Sequence, residues 1–262
     1  SWSRGIGDVY KRQAWYGGAY IAESRDLDEI LYNAPYYMMF TSGGNDGDDN
    51  TANTNPLDGN SNYDKLSAYK CSKNNVVVAA ANDANVNADG SLNSYSIASF
   101  SSEGPTDDYR IKPDISGNGV GVYSSLSSSN SAYGSYNGTS MASPNVSGTA
   151  LLLQQHYNDV KGNFMRGATL KGLILHTAED GGSNGPDAIY GWGLMNAKSA
   201  AEAISDEGNT ALIQELTLNQ GQSYQITVSA AGGPLFASIC WTDPAGTANT
   251  GTANLTTPVL VN

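Results

Sequence analysis

The chain has 262 residues, enough for one large hydrophobic core or for one core and part of a second. Its 13 basic and 25 acidic residues give a formal net charge of −12. This balance argues against nucleic acid or an anionic membrane as a partner, because both require a basic surface. No apolar run reaches the roughly 18 residues of a transmembrane helix, so we expect no membrane span.

The composition is rich in Asn, Ser, Thr, Gly and Tyr and poor in Lys and Arg, which is typical of a secreted enzyme. Cys71 and Cys240 are far apart, and we expect two free or buried thiols instead of a disulfide. Residues 1–13 have no periodicity, and residues 7–13 look like translated sequencing-adapter sequence. We therefore treat residues 1–13 as non-native or unassigned and expect that a natural N-terminal part is missing.

The first elements predict an α/β fold. Apolar residues at helical spacing among acidic ones predict a short amphipathic helix within residues 14–33, ended by Pro35. Residues 36–41 (YYMMFT) are a continuous apolar run, typical of a strand buried on both faces of a parallel sheet. After a long polar loop at residues 46–64, residues 76–81 (VVVAAA) predict a second buried strand.

Asn45 follows the first predicted strand through the small residues Ser42, Gly43 and Gly44. In open α/β sheets, ligands bind just beyond the carboxyl ends of the strands, so Asn45 is a candidate site residue. The alternative is an ordinary turn asparagine, since this residue type tolerates left-handed backbone.

Oxygen-bearing residues alternate beyond the second strand, at Asn85, Asn87 and Asp89, and Gly90 follows. Such alternation is found in calcium loops, so a structural calcium ion is one interpretation. The fit is partial, because Ser96 stands where a bidentate glutamate is expected. The other interpretation is a simple turn rich in Asn and Asp.

The most informative stretch is residues 136–148 (YNGTSMASPNVSG), which precedes the apolar run at 149–153. Pro144 fits the first turn of a helix, so a buried helix is predicted to begin here. Ser140 would then lie at a helix N-terminus, where unpaired N–H groups and the helix dipole favour a developing negative charge. A hydroxyl at that place suits nucleophilic attack on a carbonyl. The alternative is a small-residue helix start packed tightly against a sheet.

Residues 138–144 (GTSMASP) closely resemble the nucleophile motif of subtilisin-like serine proteases, and Ser140 falls on the family's catalytic serine. Segments at 97–115 and 190–197 also resemble the family, and the resemblance covers about residues 14–204 in the family's order. One departure is the run Ser-Gly-Asn-Gly at 116–119, where the family has a proline. The resemblance implies a three-layer α/β fold, a parallel sheet with helices on both faces, over residues 14–207.

The resemblance also implies roles for the candidate residues. The side-chain amide of Asn45 would donate to the oxyanion formed when Ser140 attacks a peptide carbonyl. Ser42, Gly43 and Gly44 would form one wall of the primary specificity pocket. A peptide or protein would be the substrate, and the chemistry would require no cofactor.

The C-terminal residues 208–262 change to a period of two, which predicts strands with one buried face. They resemble the start of the β-sandwich domain that follows the catalytic domain in some secreted bacterial proteases of this family. About 50 residues are too few for a complete sandwich of about 100 residues, so we expect an incomplete domain.

A serine nucleophile needs a histidine base oriented by a carboxylate. The chain has two histidines, His156 and His176, and neither is expected to reach Ser140. In the family, the catalytic aspartate and histidine precede the asparagine and would lie upstream of residue 14. Two hypotheses follow: this is the distal part of a serine endopeptidase, inactive alone, or it belongs to a non-catalytic peptide-binding relative.

Overall fold

The structure is a computed structural model that describes residues 16–229, 232–251, 253 and 255–261. The assignment of residues 1–13 lies outside this part of the chain. Four helices and seven strands are described: α1 (Ala22–Asn33), α2 (Thr139–Lys161), α3 (Gly167–His176), α4 (Ala197–Ser205), β1 (Phe40–Ser42), β2 (Val76–Ala81), β3 (Asn85–Val86), β4 (Leu92–Ser94), β5 (Ile115–Asn118), β6 (Val122–Ser125) and β7 (Tyr133–Tyr136). None of the described helices has the length and apolar character needed to cross a bilayer.

A three-stranded parallel sheet with the order β1-β2-β5 forms the centre of the molecule. Val78 of β2 pairs with Ser42 on one side and with Ile115 on the other. All six residues of β2 are buried, which confirms the strand predicted from its continuous apolar run. Two antiparallel hairpins, β3-β4 and β6-β7, extend from the sheet.

The first strand is shorter than predicted. It begins at Phe40, its three residues are only partly buried, and Tyr36 and Tyr37 are 62% and 52% exposed. The prediction of a strand at 36–41 buried on both faces was wrong, because β1 lies at the edge of the described sheet and the two tyrosines belong to the connection from α1.

The main core lies on one face of the sheet. Val76, Val78 and Ala80 of β2 contact a cluster that includes Ala142 and Val146 of α2, with further members from α3 and α4. Helix α2 crosses all three strands. Helix α1 packs against the turn at Ala68–Cys71. The mixed α/β fold with a parallel sheet is therefore present, while a layer of helices on each face remains a prediction.

Helix α2 begins earlier relative to its proline than the sequence suggested. Pro144 is the sixth residue of the helix and lies in its second turn. The expectation that Pro144 occupies the first turn was wrong. Because proline has no N–H group, the carbonyl of Ser140 lacks its usual helical partner four residues on.

The described part of residues 208–261 contains no regular strand, so the predicted β-sandwich is not confirmed. Several apolar side chains there are exposed, including Phe236 and Ile239. Residues near the end of the chain contact the α/β unit. The Asn74 side chain accepts from the N–H of Asp243 at 2.9 Å and donates to its carbonyl at 2.8 Å. Lys73 also forms a buried ion pair with the Asp243 carboxylate.

Candidate active site

The loop after β1 holds Asn45 at the carboxyl end of the sheet. The N–H of Gly43 donates to the carbonyl of Val78 at 2.8 Å, which continues the pairing between β1 and β2. Gly44 has a φ of +113°, a conformation that residues with a side chain rarely adopt. Its carbonyl accepts from the N–H of Ser102 at 3.0 Å. The turn that presents Asn45 is therefore tied to two neighbouring segments.

Ser140 is brought to the same edge by the segment that follows β5. The hairpin β6-β7 ends at Tyr136, and the N–H of Gly138 donates to the carbonyl of Gly119 at 2.8 Å. Gly138 is the N-cap of α2 and has a φ of +150°. Ser140, the second residue of the helix, is exposed. Its N–H is one of the first four of the helix, which have no partner within the helix.

Thr139 joins the two segments. Its backbone N–H and its hydroxyl both donate to Oδ1 of Asn45, each at 2.9 Å. The Thr139 hydroxyl in turn accepts from the N–H of Gly44 at 3.1 Å. Thr139 is buried and Asn45 is exposed, so these bonds are partly shielded from water. The residue before Ser140 thus fixes the carboxamide of Asn45 across 94 positions of sequence.

This arrangement determines which group of Asn45 is available to a ligand. The Oδ1 atom is used by Thr139, and the Nδ2 atom lies 3.6 Å from the place where a Cβ atom on Gly138 would stand. Asn45 and Ser140 are both exposed. An amide donor, a helix N-terminal N–H and a serine hydroxyl therefore meet at one solvent-facing edge. Such a set of donors can stabilise an oxyanion next to a nucleophile.

The other candidate residues at this edge have backbone roles. The N–H groups of Gly43 and Gly44 donate to Val78 and Thr139, respectively, so they are engaged within the protein. Ser42 is the last residue of β1 and is partly buried. The pocket wall expected from Ser42, Gly43 and Gly44 remains a prediction.

Both histidines of the chain lie away from Ser140. His156 is on the same continuous helix, 16 residues further on, or about 24 Å at 1.5 Å per residue. Its Nε2 atom is 2.8 Å from the hydroxyl of Ser205. His176, at the end of α3, has its Nδ1 atom 2.8 Å from the hydroxyl of Ser238. Neither imidazole contacts the nucleophile candidate.

The segment proposed as a calcium loop forms the β3-β4 hairpin. The carboxylate of Asp89 accepts from the N–H and hydroxyl of Ser91, at 2.9 and 2.6 Å. These bonds hold the pKa of Asp89 below its usual value. Across the described residues, no cluster of three or more His, Cys, Asp or Glu side chains is arranged to bind a metal. A calcium ion at Asn85, Asn87 and Asp89 remains a prediction.

The two cysteines are free thiols, as expected from their separation. Cys71 is buried, and burial raises the pKa of its thiol to about 12. Burial also raises the pKa of the Cys240 thiol. Neither thiol is in an environment that would activate it as a nucleophile.

A buried charge network at the amino ends of the strands was not anticipated. The carboxylate of Asp114 contacts the amines of Lys112 at 2.5 Å and Lys171 at 2.9 Å, and accepts from the N–H of Val77 at 2.7 Å. Burial alone would raise the pKa of Asp114, but the two lysines hold it below the usual value. The network links β2, β5 and α3.

Sequence reasoning also missed Thr139 and Ser102, which fix the site. Thr139 lies inside the Gly-Thr-Ser motif, and its proximity to Ser140 was the only signal. Ser102 belongs to a serine pair after Phe100 that reads as ordinary loop.

Known proteins similar to this chain include bacterial proteases. The sequence pattern of the Subtilase family matches residues 4–193. Bacillopeptidase F of Bacillus subtilis is 38% identical over 113 residues, which cover 42% of this chain and 8% of the relative. An extracellular protease of Xanthomonas campestris is 34% identical over 189 residues, covering 61% of this chain and 31% of the relative. The chain thus spans less than a third of either relative.

Among solved structures, a point mutant of the protease domain of PatA superimposes with a TM-score of 0.52. It is 17% identical, and the alignment covers 74% of this chain and 57% of that one. At this level of identity the similarity concerns the fold alone.

Proposed function

Because the chain belongs to the subtilase family, we propose that it is the part of a serine endopeptidase that supplies the nucleophile and the oxyanion donor. Ser140 attacks the carbonyl carbon of the scissile peptide bond and forms an acyl-enzyme. The Asn45 amide and the Ser140 N–H stabilise the oxyanion. The observation that carries this proposal is the double hydrogen bond from Thr139, the residue before Ser140, to Asn45 Oδ1, which engages the acceptor of the carboxamide and not its Nδ2 donor.

The reaction needs a proton acceptor that neither His156 nor His176 supplies. A serine hydroxyl is a weak nucleophile until an adjacent base takes its proton. We infer that the base and the carboxylate that orients it come from outside these 262 residues. The chain alone is therefore inactive or nearly so, and no cofactor is needed for the chemistry.

The substrate in this proposal is a peptide or protein. Ser42, Gly43 and Gly44 form one wall of the pocket for the side chain that precedes the scissile bond. The Xanthomonas relative is named an extracellular protease, and we propose that this protein is also secreted, by a bacterium.

A peptide-binding relative without catalysis is the second candidate. The observation in its favour is the engagement of both histidines with serines far from Ser140. The two candidates differ in one property, since the binder would have no use for an activated hydroxyl at residue 140.

Labelling with a fluorophosphonate probe, which reacts with activated serines, separates the two candidates. We expect the complete protein that contains this chain to be labelled and to cleave casein. Ser140→Ala should abolish both, while Ser147→Ala, at a partly exposed serine on the same helix, should change neither. The isolated chain should not be labelled. A complete protein that binds peptides but is never labelled would identify the binder.

A further inference from the structure

Two buried aspartates outside the Ser140 region, Asp64 and Asp107, lack partners for their charge. Asp64 is fully buried and Asp107 is 2% exposed. The Oδ1 atom of Asp64 and both carboxylate oxygens of Asp107 have no hydrogen-bond partner. A buried ionised carboxylate is strongly unfavourable unless a donor or a cation compensates it. These three oxygens therefore require a cation or a proton.

The two carboxylates face one another across Gly18. A Cβ atom on Gly18 would stand 2.2 Å from Oδ1 of Asp64 and 2.7 Å from Oδ1 of Asp107. The two oxygens are therefore within about 5 Å of each other, a separation that one calcium ion with ligands at about 2.3–2.6 Å can bridge. Gly18 has a φ of +71°, and a Cβ atom there would overlap both carboxylate oxygens and stand 2.9 Å from the backbone nitrogen of Asp107, so glycine allows this close approach.

The rest of Asp64 is fixed. Its Oδ2 atom accepts from the Asn53 amide and from the N–H of Leu57, both at 2.8 Å. Asp64 also has a φ of +61°, which is uncommon for a residue with a side chain. These contacts hold Oδ1 facing Asp107 and away from other donors.

Basic side chains nearby are paired with other groups. Lys65 pairs with Glu103, and Arg110 pairs with Asp108. In the described part of the chain, no lysine or arginine forms an ion pair with Asp64 or Asp107. Asp243 is buried with a basic partner, Lys73, and the buried Asp28 accepts from the Tyr20 hydroxyl and from backbone N–H groups. The pair across Gly18 differs from both, because three of its four carboxylate oxygens have neither kind of partner.

The pKa values of the two carboxyl groups agree with the lack of compensating charge. Burial raises the pKa of Asp64 to about 6. Burial and then the charge of Asp64 raise the pKa of Asp107 to about 8. The groups that oppose these increases are neutral: the Asn53 amide and the Leu57 N–H, which donate to Asp64, and the nearby Leu255 N–H, which does not reach hydrogen-bond geometry with Asp107.

We propose that Asp64 and Asp107 form a cation site beside Gly18 that binds one calcium ion. The free ligands are carboxylate oxygens, which hard cations prefer, whereas zinc favours nitrogen and sulfur. Calcium accepts irregular sets of six to eight oxygens, and backbone carbonyls and water complete them. Magnesium demands a compact octahedron and retains several waters. The ion joins the Gly18 segment to the loops that carry the two aspartates, independently of the chemistry proposed at Ser140.

Calorimetric titration of the EDTA-treated chain with calcium chloride tests the site. We expect one tightly bound ion, and Asp107→Asn should weaken its binding at least about tenfold, since a neutral amide replaces a charged ligand. Asp26→Asn is the matched control, because its carboxylate is exposed on α1 and pairs with Arg25. Its calcium affinity should equal that of the wild type. Calcium should raise the Tm of the wild type and of Asp26→Asn, and not that of Asp107→Asn.

Gly18→Ala is a second probe that retains both carboxylates. Its methyl group would occupy the space between the two oxygens, so calcium binding should be lost. Asp64→Asn replaces Asp107→Asn in the titration if the latter does not fold, because it removes the other charged ligand and should also weaken binding at least about tenfold. A wild-type chain that binds no calcium at millimolar concentration would overturn the proposal and assign a shared proton to the pair. Binding that persists in Asp107→Asn or Gly18→Ala, or is lost in Asp26→Asn, would also overturn it.

Discussion

Thr139 and Asn45 are joined by two hydrogen bonds that meet at one atom, Oδ1 of the asparagine. The backbone bond caps the first turn of α2, because it satisfies an N–H that has no helical partner. The same contact engages Oδ1 and not Nδ2 of Asn45. Helix capping and the proposed oxyanion donation would therefore depend on different atoms of one side chain.

Substitutions of Asn45 should separate these two contributions. Asn45→Asp retains an acceptor for Thr139 and places a negative charge at the helix N-terminus, so stability should stay within about 0.5 kcal/mol of the wild type. Asn45→Ala removes the cap and should cost about 1 kcal/mol. Urea unfolding of the chain measures both values.

Activity should follow a different order. In the complete protein, Asn45→Asp and Asn45→Ala both lack the amide donor, and each should lower kcat by about 100- to 1000-fold, a magnitude already known from the subtilisin family. An Asn45→Asp protein with near-normal turnover would show that the amide does not act on the oxyanion, whatever its effect on stability.

The sequence was most informative where structure depends on local pattern. The six apolar residues of β2 predicted that strand, and the Gly-Thr-Ser motif predicted the start of α2. The edge position of β1 could not be predicted, because Tyr36 and Tyr37 have the same apolar character whether they lie inside a sheet or on a connection.

Contacts between distant segments left no periodic signal. The Thr139–Asn45 contact spans 94 positions and the Lys73–Asp243 pair spans 170. Asn45 and Ser140 were singled out by family resemblance and by their place at the ends of elements. The bonds that orient Asn45 depend on the relative positions of three segments, which the chain does not encode locally. The buried pair of Asp64 and Asp107 could not be predicted either, because it also depends on how distant segments pack together.

The network around Asp114 makes a prediction about stability. Asp114→Asn should destabilise the chain by about 3–5 kcal/mol, because Lys112 and Lys171 would lose the charge that compensates their burial. The control is Glu202→Gln, which breaks a pair with Lys198 in which both side chains are 65% exposed. That change should cost less than about 0.5 kcal/mol. If urea unfolding showed the same loss of unfolding free energy for Asp114→Asn and Glu202→Gln, the network would not have the importance assigned to it.

The pH dependence of the same network has a definite sign. The folded-state pKa of Asp114 lies below its usual value, so the unfolded chain binds more protons over that interval. The contribution of Asp114 is present above the unfolded pKa of about 4 and is lost as the pH falls through the folded pKa. Between pH 5 and 2, the wild type should lose more stability than Asp114→Asn. If the unfolding free energies of the two proteins fell in parallel over this pH range, the prediction would be contradicted.

Tyr109 is a site where a substitution should stabilise the chain. Its φ is +61° and its side chain is 54% exposed, so the backbone is strained while the ring contributes little burial. Tyr109→Gly removes both the ring and the backbone strain. Tyr109→Ala removes the ring but retains the strain. We expect the Gly variant to be about 1 kcal/mol more stable than the Ala variant. Equal midpoints in urea would show that this backbone carries no strain.

The contact between Lys73 and Asp243 should hold the C-terminal segment against the α/β unit. The Lys73 amine also donates to the carbonyl of Val259 at 3.0 Å, so one buried cation binds two points of the segment. Asp243→Ala leaves that cation uncompensated, and chymotrypsin should then cleave within residues 208–261 at least about tenfold faster. Asp26→Ala, which breaks an exposed pair with Arg25, is the control and should not change the cleavage rate. Mass spectrometry of the fragments would locate the cuts. Unchanged cleavage in Asp243→Ala would mean that other contacts of residues 243–261 suffice to hold the segment.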